Sequence, residues 1–231
     1  MIESYAWRGP DDLGQREAVL CFGPEGAPLV LILPPLFEEA NRTRFFLVEI
    51  MRGLAALGVA SILPDLPGTN DSPVATVDAR FGDWKEAIAA LPAPAMTVSI
   101  RGGALLDGFA ATEFHWRLAP ETGARLLRDM VRATAMTAGI KAGAVEAMAR
   151  TEPTALAGNI VHHTLFSALE GAVPADTGNI RTLRLEDDAG DAEARVTGTP
   201  LWRRAEPGHD ADLAAVAVAD IAQWMTSCGV R

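Results

Sequence analysis

Cysteine is nearly absent from this chain, and the two it has, Cys21 and Cys228, sit near opposite ends. No CxxC pair and no cysteine–histidine ligand spacing occurs, so a structural zinc site is not expected. Cys21 lies in an apolar, strand-like run and reads as a buried thiol. Positive charge is also short: 20 Lys and Arg against 30 Asp and Glu leave a net charge of −10. A nucleic-acid binder needs a basic face, and docking on an anionic membrane needs one too, so neither partner is expected. No apolar run approaches the roughly 18 residues that cross a bilayer. The opening Met1-Ile2-Glu3-Ser4 has neither the basic start nor the apolar core of a secretion signal. No membrane insertion, no metal and no cofactor are expected, and a cytoplasmic location is. No internal repeat or low-complexity tract stands out.

What is present is ordinary for a globular chain: 231 residues, 49% hydrophobic and 22% charged. That length suits one α/β domain, or a domain with a small cap. Glu17 to Phe22 alternates weakly and reads as an early strand. Pro28 to Leu33 is a continuous apolar run, as in a strand buried on both faces of a parallel sheet. Phe46, Leu47, Ile50, Met51, Leu54 and Leu57 recur every three or four residues and predict a helix that Gly58 ends. Val59 to Leu63 predicts a strand, Asp78 to Leu91 a helix, and Ala95 to Ile100 another strand. Strands alternating with helices indicate a mostly parallel sheet with helices on its faces. From His115 to about Glu170 the pattern is largely helical, which predicts a cap. The expected division is a core over 1–114 and 171–231, with a helical insertion over 115–170. Strand signals return at Thr182–Leu185 and Arg195–Trp202, and a last helix is expected from the N-cap Asp210.

The most telling segment is Ser99-Ile100-Arg101-Gly102-Gly103, where a strand meets a sharp turn. It stands where an α/β-hydrolase carries its G-x-S-x-G nucleophile elbow, with arginine in place of the serine. A guanidinium has only donors and stays protonated, so it cannot attack a carbonyl. Leu36 and Phe37, after the first buried strand, and Gly102 stand where that fold supplies oxyanion-binding N–H groups. His209 lies before the last helix, where the fold places its catalytic base, and Asp187 and Asp188 are available as its acid. Ser99 is a candidate nucleophile, although a place inside the strand end denies it the elbow's exposure. Asp65 and Ser72 lie in loops at the carboxyl ends of strands, the edge where open α/β sheets bind ligands. Arg101 itself has two readings. It could grip a carboxylate or phosphate at a helix N-terminus, or it could pair internally with Glu38 or Glu39. The internal pair is favoured, because an unpaired buried charge is costly.

These residues resemble a known family. Pro34-Pro35-Leu36-Phe37-Glu38-Glu39-Ala40-Asn41-Arg42-Thr43-Arg44 is similar to the P-P-F-x-E-E-x-N-x-x-R stretch of the exosortase A system-associated hydrolases of the second type. Leu63-Pro64-Asp65-Leu66-Pro67-Gly68-Thr69-Asn70-Asp71-Ser72 resembles their L-P-D-L-x-G-x-x-D-S loop. Ile100-Arg101-Gly102-Gly103-Ala104-Leu105-Leu106 resembles their L-R-x-G-A-L-L elbow, where arginine also replaces serine. Phe114-His115-Trp116 resembles the F-W-x-P start of their cap, with the proline displaced to Pro120. The likeness covers most of the first 130 residues and fades beyond. It implies an α/β-hydrolase fold, in a bacterium that makes exopolysaccharide and sorts surface proteins, and no particular substrate.

Three functions are then open. The leading one is a hydrolase-fold protein without the serine mechanism. It would bind a small anionic ligand or a partner in the old cleft, among Arg101, Glu38, Glu39, Asn41, Asp65 and His209. The second is an ester or thioester hydrolase acting on an acyl-type substrate with an unusual nucleophile or an activated water, His209 being its base. The third is an interaction module, for instance a homodimer formed through the helical cap.

Overall fold

The computed structural model describes residues 1–9 and 14–230. Its frame is an eight-stranded sheet. The strands are β1 (Ile2–Trp7), β2 (Gln15–Phe22), β3 (Leu29–Leu33), β4 (Ala60–Pro64), β5 (Met96–Ile100), β6 (Phe114–Leu118), β9 (Asn179–Leu185) and β10 (Ala194–Val196). They lie in the order β1-β2-β4-β3-β5-β6-β9-β10. The first two strands pair antiparallel with each other, and β2 pairs antiparallel with β4. From β4 to β10 every pairing is parallel. Helix α1 (Glu38–Ala56) follows β3, α2 (Phe81–Ala89) follows β4, and α6 (Ala211–Ser227) ends the chain. The alternation of strand and helix legible in the first hundred residues is thus the alternation of the fold.

Period-two geometry divides the core. In β3, Val30 and Ile32 face α1 and α6, packing with Phe46, Ile50, Leu54, Leu213 and Ile221. Leu31 and Leu33 face the other way, toward Trp84 and Ile88 of α2 and toward the inserted helices. Neighbouring β5 and β6 keep the first face apolar, with Val98, Ile100, Trp116 and Leu118. Their second face is polar. Thr97 and His115, cross-strand partners, share a 2.8 Å hydrogen bond. Ser99 Oγ donates to Asp107 Oδ2 at 2.9 Å, and Arg117 grips the same carboxylate through Nε (2.7 Å) and a terminal nitrogen (2.8 Å). Asp107 is fully enclosed, so this fork has no competition from water.

Between β6 and β9 the chain inserts α3 (Gly123–Ala138), α4 (Ala142–Ala149), the hairpin β7 (Thr154–Leu156) and β8 (Asn159–Val161), and α5 (His163–Glu170). Leu126, Leu127, Met130, Val145, Leu165 and Phe166 from this insertion join one apolar cluster with α2 and the sheet. The methionines of the stretch divide accordingly: Met130 is core, whereas Met136 and Met148 are exposed.

Three local expectations change. His115–Leu118, the opening of the expected 115–170 cap, belong to β6 in the middle of the sheet. The pattern was masked because His115 and Arg117 serve the buried polar face. After β5 the chain forms 3-10 turns at Arg101–Leu105 and Asp107–Phe109 in place of the helix at whose N-terminus Arg101 was expected to stand. Gly102, Gly103 and Gly108 each weaken an α-helix there by about 1 kcal/mol relative to alanine. The strand expected over Arg195–Trp202 stops at Val196, with Gly198 and Pro200 beyond it, and Leu201–Arg203 forms a 3-10 turn.

Gly103 is the tightest point of the elbow. A Cβ there would lie 2.4 Å from the Leu33 carbonyl oxygen and 2.6 Å from that of Pro34, neither of which can move freely. Gly82, in α2, has nothing within 4 Å of the same position. Gly103→Ala should therefore cost roughly 1–3 kcal/mol by overpacking, and Gly82→Ala should gain up to about 1 kcal/mol. Urea denaturation of the two variants should give opposite signs, and equal shifts would contradict the close approach.

Candidate functional site

Three adjacent parallel strands, β3, β5 and β6, end side by side, and each chain turns away through a non-glycine residue of positive φ. These are Phe37 (57°), Arg101 (53°) and Ala119 (47°). Such conformations cost of order 1–3 kcal/mol each and persist only where surroundings enforce them. The turn at Arg101 is the sharp backbone of a nucleophile elbow with a guanidinium on it.

The flanking strand exits deliver acids to that guanidinium from both sides. Glu39, in the first turn of α1 after β3, accepts from Arg101 Nε at 3.2 Å and from a terminal nitrogen at 3.2 Å. Glu121, after β6, accepts from the other terminal nitrogen at 3.0 Å. All three side chains are buried. The guanidinium also lies over the Trp202 ring, 5.2 Å from its centroid, a stacking that favours arginine over lysine. Arg125 extends the chain of charges from α3 to Glu121 at 3.3 Å. Burial pushes the Glu39 carboxyl up while Arg101 pulls it down. The two carboxylates hold Arg101 above its usual value against the opposing effect of burial, so it stays charged.

The predicted site residues separate into three places. Arg101 and Glu39 meet, as the internal pair required. Glu38 does not join them: it is half-buried, its carboxyl is raised chiefly by burial, and its Oε2 has no hydrogen-bond partner. Gly102 lies beneath Leu36 and Leu126, whose side chains come within 3.1 Å and 3.4 Å of where its Cβ would be. Ser99 is fully enclosed and committed to Asp107, with no histidine bonded to it. His209 is exposed and packs edge-on to Phe45, ring centroids 4.9 Å apart, outside α1. It makes no hydrogen bond to Asp187, Asp188, Ser99 or Arg101. Asp188 instead pairs with Arg203 at 3.2 Å. From the long loop that carries His209, the residue that reaches the elbow is Trp202.

Sequence reasoning missed Glu121 and Trp202. The signal for Glu121 was its place immediately after a strand in Phe114-His115-Trp116-Arg117-Leu118, a strand hidden by its inward polar residues. Trp202 followed the apolar Leu201 in a stretch read as strand.

Leu36, Phe37 and Asn41 belong to a separate cleft of about 100 Å³, partly open to solvent. Pro34 to Phe37 and the start of α1 form one wall. Leu66, Gly68, Thr69 and Asn70, from the loop after β4, form the second, with Thr76, Ala79 and Trp84. Asn159 of β8 and Leu165 of α5 close it from the insertion. Asp65 supports the second wall from behind. It accepts from Asn70 Nδ2 at 2.6 Å and Arg44 at 3.4 Å, and its carbonyl accepts from Tyr5 at 2.7 Å. Ser72 Oγ accepts from the backbone N–H groups of Gly68 and Val74, and the Trp84 indole donates to Pro67. The cleft wall is therefore built before any ligand arrives.

No family model matches the chain, and no curated protein does. Solved structures do. Alpha/beta hydrolase domain-containing protein 10 from mouse superposes with a TM-score of 0.63 at 12% identity, over 99% of each chain. Est1E from Butyrivibrio proteoclasticus, solved with ferulic acid bound, gives 0.61 at 15% identity, over 96% of this chain and 99% of its own. Rv0554 from Mycobacterium tuberculosis gives 0.58 at 13%, over 97% and 99%.

Removing Arg101 strips the buried Glu39 of its ion-pair partner and leaves Glu121 only the half-exposed Arg125. Arg101→Ala should cost about 3–5 kcal/mol. Arg101→Met combined with Glu39→Gln and Glu121→Gln should recover most of that loss, because no charge is then stranded. Denaturant midpoints of the single and triple variants check this, and equal loss in both would mean that shape matters there and charge does not. At this low identity the shared architecture of the whole chain is what the superpositions establish: an α/β-hydrolase fold.

Proposed function

We propose that the chain is a ligand-binding protein built on the α/β-hydrolase frame, that it does not run the serine-hydrolase reaction, and that its ligand sits in the cleft beside the elbow. The observation that carries this reading is Arg101. It holds the backbone turn of a nucleophile, cannot attack a carbonyl, and is engaged on both sides by Glu39 and Glu121. Two further facts support it. Ser99 is enclosed and bonded to an Asp107 carboxylate that Arg117 already grips, with no histidine bonded to it, and His209 lies on the outer side of α1. Nucleophile and base normally sit within about 3 Å of each other. The donors that would have gripped a ligand anion at Arg101 are occupied by the chain's own acids, which moves the binding site to the cleft.

The motifs at 34–44, 63–72 and 100–106 support placement with the exosortase-associated hydrolases of the second type, where arginine at the elbow belongs to the pattern. In that setting a degenerate hydrolase serves by binding, in the cytoplasm, where Cys21 and Cys228 remain free thiols.

Incubation with a fluorophosphonate serine probe should leave the chain unlabelled. Turnover of p-nitrophenyl acetate and butyrate should not exceed the buffer rate. Covalent labelling of a serine, lost in Ser99→Ala, would establish the hydrolase reading instead.

A further inference from the structure

The polar chemistry of the cleft is of one kind, and we infer that it takes an uncharged ligand: a ring compound carrying a hydroxyl or carboxamide group. The inference rests on the cleft being the ligand site and adds the ligand's class. None of the residues lining the cleft is charged. Its polar side chains are chiefly carboxamides from three separate elements: Asn41 on α1, Asn70 in the loop after β4, and Asn159 on β8.

Two of these carboxamides have a fixed orientation. Asn70 must turn Nδ2 to Asp65, because an ionised carboxylate only accepts. Asn159 turns Nδ2 to the carbonyl of Ala157, which also only accepts. Each is left with an Oδ1 that has no partner among the described residues. Asn41, exposed, has no partner for either end of its amide. The groups on offer are thus two acceptors, Oδ1 of Asn70 and of Asn159, with the Asn41 carboxamide and the Thr76 hydroxyl, which can donate or accept. A ligand hydroxyl or N–H satisfies them, whereas a carboxylate or phosphate would place acceptor against acceptor at Asn70 and Asn159.

The surrounding charges point the same way. The N-terminus of α1 would ordinarily attract an anion, but its first turn already carries Glu38 and Glu39. A cationic ligand is served no better, because Asp65 lies behind Asn70 and is already bound by it and by Arg44. The apolar part of the wall holds two aromatic rings among leucines and prolines. Trp84 and Phe37 stand edge to face with centroids 6.0 Å apart, a surface suited to a flat ring. Hydrophobic walls with a few fixed polar groups are the usual build of a small-molecule site.

Three probes of one shape separate the classes: benzamide, benzoate and benzylamine. Each is titrated into the intact protein while the Trp84 indole and the asparagine side-chain amide signals are followed by proton–nitrogen NMR. Benzamide should move these signals and bind at least about tenfold tighter than either charged probe. Asn41→Ala and Asn159→Ala, both at the cleft rim, should each weaken benzamide about three- to tenfold, the loss of one hydrogen bond. Benzoate or benzylamine binding in the cleft as tightly as benzamide would overturn the charge assignment and leave the cleft as a ligand site. No movement of cleft signals with any of the three would overturn both the assignment and the cleft as the ligand site.

Discussion

The guanidinium of Arg101, held between Glu39 and Glu121, is the contact on which the carboxyl edge of the sheet depends. It ties the exits of β3, β5 and β6 together beyond their own ladders, and it does so through charges taken out of water. Each ion loses several kcal/mol of hydration on burial, and only close, multiple hydrogen bonds offset that loss. The geometry meets the condition: a two-point grip on Glu39, a third bond to Glu121, and the Trp202 ring beneath. Because the partners come from three chain exits, none of the three loops can shift alone. The positive φ angles at Phe37, Arg101 and Ala119 are held by that mutual constraint.

This constraint also explains why elbow and cleft are separate. The turn after β3 has two duties. Its far end starts α1 and presents Glu39 inward to Arg101, while Leu36, covering Gly102, and Phe37 face the cleft. A nucleophile would need Gly102 and the oxyanion-type N–H groups to open on one shared space. Here Leu36 and Leu126 come against Gly102, and Leu36 also lines the cleft. Below the elbow, Asp107 and Arg117 take the place that an apolar layer would have, and they tether the 3-10 turns that replace the expected helix.

The sequence made the frame legible where periodicity was strong. β3, β4, α1, α2 and α6 are apolar in their proper rhythm, and Asp210 caps α6 as its residue type suggested, accepting from the Leu213 N–H. The frame was illegible where polar residues point inward. β6 carries His115 toward Thr97 and Arg117 toward Asp107, buried polar partners that no periodic pattern in a single sequence displays. The same cause hid Glu121. An acid after a helical-looking stretch reads as solvated surface until the strand before it is known to lie beside β5. His209 failed for a different reason. Its position along the chain matched a catalytic base, but the loop from Val196 to Asp210 is long enough that order along it does not fix which residue turns in. Burial decides that, and the apolar pair Leu201 and Trp202 takes the inward place while the polar Glu206-Pro207-Gly208-His209 stays out.

Charge at the elbow and neutrality in the cleft are consequences of one arrangement. An arginine in the elbow requires acids at both neighbouring strand exits, and one of them, Glu39, sits in the first turn of α1 beside Glu38. A helix of 19 residues would otherwise offer its N-terminal N–H groups to an anion. With Glu38 and Glu39 seated there, the helix end is already answered, and the adjoining cleft is left to carboxamides and aromatic rings. Arginine at the elbow position therefore does more than withhold a nucleophile. Through Glu39 it changes the electrostatics of the neighbouring turn, and with it the kind of molecule that turn can face.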